Sequence, residues 1–231
     1  EITPNAYVKA TAIKFKVENT KDVQKVTMID KIVELTKTDI GGEEVEGAKI
    51  QVLDGEKIID EWTSGKEAHK INGLEEGKTY ILHEEVAPDG YVKATDVEFT
   101  VTTDKETQKI EMKDMPILTD IKVVKVDSQT RKVINEKFTF GIFEDEKCTK
   151  LIKEIKSNKK DGFITFEDLR YGTFFVKELK APNGYELSDR VAKVEINDKG
   201  VFIDGIEIQK ENEAYSFEFE NQKIETPKTR R

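Results

Sequence analysis

The chain is poor in the residues that most often announce a function. Among 231 residues there are one cysteine, one tryptophan, two histidines, three methionines and five prolines. The lone Cys148 excludes an internal disulfide, and its polar setting, EDEKCTK, is that of an incidental thiol rather than a nucleophile. His69 and His83 are not at metal-ligand spacing. GxSxG, P-loop and dinucleotide fingerprints are missing, which argues against an enzyme acting on external substrates. There is no DxDxDG calcium loop, and the acidic runs EEVEG and FEDE read as solvated faces. No run approaches the ~18 apolar residues of a membrane span. No signal peptide is visible, and the chain opens on Glu1, as a fragment or processed chain does. The net charge of −9 leaves no basic face for nucleic acid and disfavours an anionic membrane surface.

What the chain has instead is a repeat. EITPNAYVKATAIKFKVENTKDVQKVTMID, at the start, lies over EVAPDGYVKATDVEFTVTTDKETQKIEMKD, from Glu85, at an offset of 84 without a gap, and fourteen of thirty positions are identical. Both copies run into similar segments, Val33 to Asp39 and Ile121 to Asp127. Ala87-Pro88-Asp89-Gly90-Tyr91 returns as Ala181-Pro182-Asn183-Gly184-Tyr185. The repeat divides the chain into the back portion of one module (1–31), a complete module (32–116), a longer one (117–224) and a polar tail, ETPKTRR (225–231).

The hydrophobic set is 36% of the chain, enough for small two-layer cores but not for one thick core. KFKV, EFTV, IKVVKV, FTFGIF, ILHE and FEFEN alternate apolar and polar residues. Gly41-Gly42, Asp54-Gly55, Asp89-Gly90, Asp161-Gly162 and Asn183-Gly184 supply turns between them. ETQKIEMKD has some helical character, but its repeat partner DVQKVTMID is rich in β-branched residues, so both are read as strands. Short strands with turns at roughly 8–12-residue spacing predict an all-β chain of tandem Ig-like β-sandwiches.

In a strand, residues two apart share a face. Val33 and Leu35 therefore share theirs with Lys37, and Ile121 and Val123 with Lys125. Tyr80 and Leu82 share theirs with Glu84, and Phe174 and Val176 with Glu178. Ile110 and Met112 go with Asp114, Phe217 and Phe219 with Asn221, and, in the partial copy, Val26 and Met28 with Asp30. One lysine at the end of an apolar face is ordinarily a snorkelling surface group. Three groups recurring at matching places in two modules are harder to explain that way. Buried as ions they would cost several kcal/mol each before pairing. Burial drives a lysine toward the neutral amine, a nucleophile, and keeps a glutamate protonated so that it can donate to a carbonyl. Where the amine reaches an Asp or Asn side-chain carbonyl carbon, an amide can form with loss of water or ammonia, and the buried charge disappears.

YILHEEVAPDGY (80–91) and FFVKELKAPNGY (174–185) occur in order with LTKTD (35–39), VVKVD (123–127), MKDMP (112–116) and FENQK (219–223). Together these resemble the motifs of Cna B-type (SpaA-like, prealbumin-like) domains of Gram-positive surface adhesins and pilins. The first two match that family's E-box, YxLxExxAPxGY, with Phe174 in the tyrosine place. The resemblance implies prealbumin-like sandwiches, each closed by a self-formed intramolecular isopeptide bond. Carried over by position, Lys37 joins Asp114 with Glu84 assisting, and Lys125 joins Asn221 with Glu178 assisting. Strand parity selects Glu84 over its neighbour Glu85. Asp30 is then a last-strand equivalent with no partner in this chain. The tail is similar to a PxTG sorting signal through Pro227 and Thr229, with Arg230 where glycine is expected. In the second module the Asn follows its Glu by 43 positions, against 30 from Glu to Asp in the first, and DKGVFIDGIE is expected to form an extra hairpin there.

The function the resemblance implies is that of structural stalk modules in a Gram-positive cell-surface adhesin, extracellular and cell wall-associated. Neighbouring repeats of the parent are the expected partners, with sortase attachment of that parent. A pilus subunit is the alternative, though no YPK-like pilin lysine motif is found. Direct binding of a host matrix protein is a third reading, for which no aromatic groove is recognisable. No cofactor, nucleic acid or membrane insertion is expected, and catalysis is confined to the single turnover of bond formation.

Overall fold

The computed structural model describes residues 7–9, 12–28, 30–102, 104, 106–158, 160–211 and 214–225. The chain divides after Pro116 into two compact units, and the described residues form strands and turns without a helix. In the first unit the strands are β1 (Ile32–Asp39), β2 (Lys49–Asp54), β3 (Lys57–Thr63), β4 (His69–Lys70), β5 (Thr79–Val86), β6 (Tyr91–Val92), β7 (Val97–Thr100) and β8 (Thr107–Pro116). The second unit holds β9 (Thr119–Asp127), β10 (Thr139–Phe143), β11 (Leu151–Lys156), β12 (Phe163–Leu169), β13 (Gly172–Lys180), β14 (Val191–Asn197), β15 (Gly200–Ile203), β16 (Ile206–Ile208), β17 (Lys210–Glu211) and β18 (Ala214–Asn221).

The first unit is a sandwich of two four-stranded sheets, β4-β1-β8-β6 and β3-β2-β5-β7. Alternating side chains of both, among them Val33, Leu35, Ile50, Val52, Tyr80, Leu82, Phe99 and Met112, fill the core. The second unit repeats the plan with β12-β9-β18-β17 and a six-stranded sheet, β11-β10-β13-β14-β15-β16. The anticipated extra hairpin is β15–β16, which widens that sheet and accounts for the longer spacing. β10 is buried along its whole length. Gly141 makes this possible, because a Cβ there would stand 2.7 Å from the Phe143 ring.

In each unit the first and last long strands are parallel neighbours. β1 pairs with β8 so that Lys37 lies opposite Met112 and Asp39 opposite Asp114. β9 pairs with β18 so that Lys125 lies opposite Phe219 and Asp127 opposite Asn221. A parallel pair needs a long crossover, and here the crossover is the rest of the sandwich.

Two expectations fail in the partial copy. KFKV and DVQKVTMID do not form strands: the described residues of 12–30 are irregular, and Phe15 (64%), Val17, Val26 and Met28 are exposed. Their repeat partners, β7 and β8, are held by β5 and β1 respectively. Among the described residues nothing equivalent to β5 or β1 lies beside the earlier copy, and a half-buried strand has no stability without a sheet to join. Residues 7–9, which the repeat places in the preceding module, pack within the first unit, with Val8 in its core. The motif TPKTRR, with Pro227, Thr229 and Arg230, lies outside the described residues.

Candidate functional site

Parity along β1, β5 and β8 turns Lys37, Glu84 and Asp114 into the first sandwich, where all three are buried. Lys37 and Asp114 stand on adjacent parallel strands of one sheet, and Glu84 comes from the other sheet. Lys37 Nζ lies 2.9 Å from Glu84 Oε1 and donates a hydrogen bond to Asp114 Oδ1. Glu84 Oε2 accepts from the backbone N–H of Ala94 at 2.6 Å. Asp114 Oδ2 is buried without a hydrogen bond.

The second sandwich builds the same arrangement from β9, β13 and β18. Lys125 and Glu178 are fully buried and Asn221 nearly so. Lys125 Nζ is 2.8 Å from Glu178 Oε1 and lies near the rings of Phe219 and Phe140, at 4.6 and 5.1 Å from their centroids. Although the amine and carboxylate are at ion-pair distance, their geometry is not that of a hydrogen bond, and neither atom has another partner of that kind. Glu178 Oε2 accepts from Ser188 N at 3.0 Å and from Asn221 Nδ2 at 2.8 Å. Asn221 Nδ2 also donates to the Glu186 carbonyl at 2.7 Å, which fixes the amide's orientation, since a carbonyl can only accept. The Asn221 oxygen is buried and has no hydrogen bond.

Burial sets the electrostatics. It pushes the Lys125 ammonium down to about 8; Glu178 opposes the shift, and Arg190 adds to it slightly. It lifts the Asp114 carboxyl above its ordinary range, with Lys37 opposing and Glu84 contributing to the rise. Both shifts favour neutral groups. A neutral amine beside a protonated acid and a desolvated carbonyl is the starting arrangement for amide formation.

The remaining candidates fall elsewhere. Asp30 is exposed, outside any strand. Cys148 is partly buried, and burial pushes its thiol up, away from the reactive thiolate. His69 stacks on Trp62 and meets Asp60, and His83 meets Asp96. Among the described residues no group of side chains is arranged to hold a metal ion, and no helix is long and apolar enough to cross a membrane.

Sequence reasoning missed the groups that hold the acids in place. Ala94 and Ser188 each follow their glutamate by ten residues and bind its Oε2 through backbone N–H. That recurring interval was readable, but a backbone donor leaves no mark in residue type. The aspartates of LTKTD and VVKVD also have a role. Asp39 Oδ1 accepts from Gly41 N and Glu43 N at 2.8 and 3.1 Å, and Asp127 Oδ1 from Gln129 N and Thr130 N at 3.0 and 2.8 Å. Each thereby closes the turn after the lysine strand. In the second module the E-box tyrosine, Tyr185, donates its hydroxyl to Asp127 Oδ2 at 3.1 Å, tying that turn to the loop that follows the glutamate strand.

These features define a class: tandem β-sandwiches with a lysine and an Asp or Asn on parallel first and last strands, sealed inside against a glutamate from the facing sheet. The chain belongs to the SpaA family of prealbumin-like fold domains, whose model matches residues 31–116 and again 119–213. Among solved structures it is similar to the TIE protein of Bacillus anthracis, at 25% identity and a TM-score of 0.60, over 83% of this chain and 34% of that one. It shares the fold of the pilus adhesin SpaC of Lactobacillus rhamnosus GG, at 15% identity and a TM-score of 0.54, over 85% of this chain and 32% of that one. A C-terminal fragment of SpaC gives 15% identity and a TM-score of 0.52, over 84% of this chain and 97% of the fragment. The chain spans about a third of the TIE protein and of SpaC. No curated protein sequence matches it.

Proposed function

We propose that this chain supplies two structural stalk modules of a Gram-positive cell-surface adhesin, each locked by a self-formed isopeptide bond. The observation that carries the reading is the recurrence of one buried constellation, Lys37–Glu84–Asp114 and Lys125–Glu178–Asn221, at equivalent register in both sandwiches. In the first, Lys37 Nζ attacks Asp114 Cγ. The new C–N bond replaces the C–OH bond, the amine's proton passes through Glu84 to the departing hydroxyl, and water leaves. In the second, Lys125 Nζ attacks Asn221 Cγ. Glu178 donates its proton to Nδ2, recovers one from the amine, and ammonia leaves.

Each bond ties a first strand to a last strand. Tension entering at β1 or β9 passes through the amide to β8 or β18, and the crossover between is shielded. Closing a 77-residue loop in the first module, and the loop from 125 to 221 in the second, contributes about 4–5 kcal/mol each by chain entropy. Unlike a disulfide, the bond resists reduction. A place outside the cell, in the wall, suits such modules, with neighbouring repeats and sortase-attached parent as partners. A pilus subunit would use the same bonds.

Intact mass spectrometry of the denatured chain tests this. The expected mass is below that of the sequence by one water plus one ammonia. Glu84→Ala should restore the water alone and Lys125→Ala the ammonia alone. A full-mass wild-type chain would overturn the proposal.

A further inference from the structure

The two sandwiches differ at one seam. In the second, Leu169 at the end of β12 pairs directly with Thr119 at the start of β9, so the two strands stay paired to their ends. In the first, the chain just before β1 and the stretch Gly73-Leu74-Glu75 ahead of β5 are bridged by a third segment. Val8 N donates to Lys31 O at 2.7 Å, Lys9 N to Leu74 O at 2.9 Å, and Gly73 N to Tyr7 O at 3.1 Å. Lys9 and Glu75 form a parallel bridge. The receiving edge is itself anchored, since Glu75 N donates to the hydroxyl of the core residue Tyr80 at 3.1 Å.

We infer that this seam is a docking slot for an extended segment of the preceding repeat, and that Tyr7–Lys9 occupies it with Val8 as its apolar plug. Val8 is 2% exposed and belongs to the core with Ile71 and Leu74. The same string, YVKAT, occurs at 91–95, where Val92 is 54% exposed. The sequence string alone therefore does not bury the valine; the slot does. The contact of Val8 with Lys31 also reproduces, at the repeat offset, the pairing of Val92 with Met115 inside the first sandwich. The segment keeps its own module's register while sitting in the next module. The slot recognises backbone edges on both sides and one β-branched side chain between them, which is recognition by strand addition. On the stalk reading this gives the preceding repeat a packed joint with the first sandwich in place of a bare linker, but the slot itself does not depend on either cross-link.

Amide hydrogen exchange on the full chain tests the docking. The amides of Val8, Lys9 and Gly73 should exchange at least about a hundredfold more slowly than those of Lys14–Val17. Val8→Ala should speed those three about tenfold through lost apolar burial. Val8→Asp should abolish their protection, while the amides of β1 and β8 and both mass losses stay as in the wild type. Equal exchange at the two segments in the wild type would overturn the docking, and so would persistent protection in Val8→Asp. If Val8→Asp fails to fold, Val8→Ala decides. Protected amides in a chain of full mass would sink the cross-link reading and leave the slot standing.

Discussion

Replacing Glu178 by alanine should prevent the second cross-link and reveal its worth. Glu178 touches both reacting groups, with Oε1 2.8 Å from Lys125 Nζ and Oε2 2.8 Å from Asn221 Nδ2. Its loss removes the proton donor for the leaving nitrogen and the acceptor for the amine's proton. The chain should then keep its ammonia and lose only water. The loop from 125 to 221 opens, which costs about 4–5 kcal/mol. The fully buried Lys125 is also left without its acid, a penalty of a further few kcal/mol. The first term alone should lower the melting of the second sandwich by about 20 °C or more. Calorimetry with intact mass spectrometry reads both effects. Lys125→Met/Glu178→Ala serves as the partner variant: it also lacks the bond but leaves neither ionisable group of the pair buried, so it should melt above Glu178→Ala. The reasoning is refuted if ammonia loss persists in Glu178→Ala. It is refuted too if the bond is lost and the transition moves by less than about 5 °C.

Two further perturbations follow. In Asn221→Ala, Lys125 stays unlinked beside Glu178, and its proton leaves at about 8 in the folded chain against the ordinary 10.5 unfolded. Between those values the unfolded chain holds more protons, so stability rises with pH, by roughly 3 kcal/mol relative to a Lys125→Met/Asn221→Ala control; denaturant midpoints that fall or stay level would contradict this. Tyr185→Phe removes the hydroxyl donated to Asp127, and calorimetry should show the second transition falling by about 2–6 °C with both mass losses intact.

Much of this site was legible because a strand punishes the wrong face. A one-residue slip would turn Lys37, Glu84, Asp114, Lys125, Glu178 and Asn221 to solvent together, so the apolar neighbours two residues away fixed their inward direction. The parallel pairing of first and last strands was not legible from parity, which says nothing about neighbours. The same limit explains the failure at 12–30. That stretch carries nearly the pattern of β7 and β8, yet Phe15 and Met28 stay exposed because a strand's burial depends on the sheet beside it. Arg190 was missed for a related reason. It caps Phe219, its guanidinium 5.0 Å from the ring centroid, and reaches Asp204 at 2.8 Å on the β15–β16 hairpin. That partnership exists only once the extra hairpin has folded.

The proton count of each site decides how its chemistry responds to pH. The reactive state of the second site holds one proton over two groups, as Lys125 amine beside protonated Glu178. The Lys125 ammonium is the source of that proton, and burial brings its loss down to about 8. The first site must hold two protons over three groups, because Asp114 has to be neutral to lose its hydroxyl, and burial already lifts that carboxyl. A free amine in water becomes a better nucleophile as pH rises. Here the opposite holds, because the proton lost is the one needed by the departing ammonia. In chain made by cell-free synthesis and quenched at intervals, ammonia loss should be level from neutral pH to about 8 and slow above it. A rate that kept climbing beyond that point would mean that Glu178 supplies no proton and serves only to hold the amine in place.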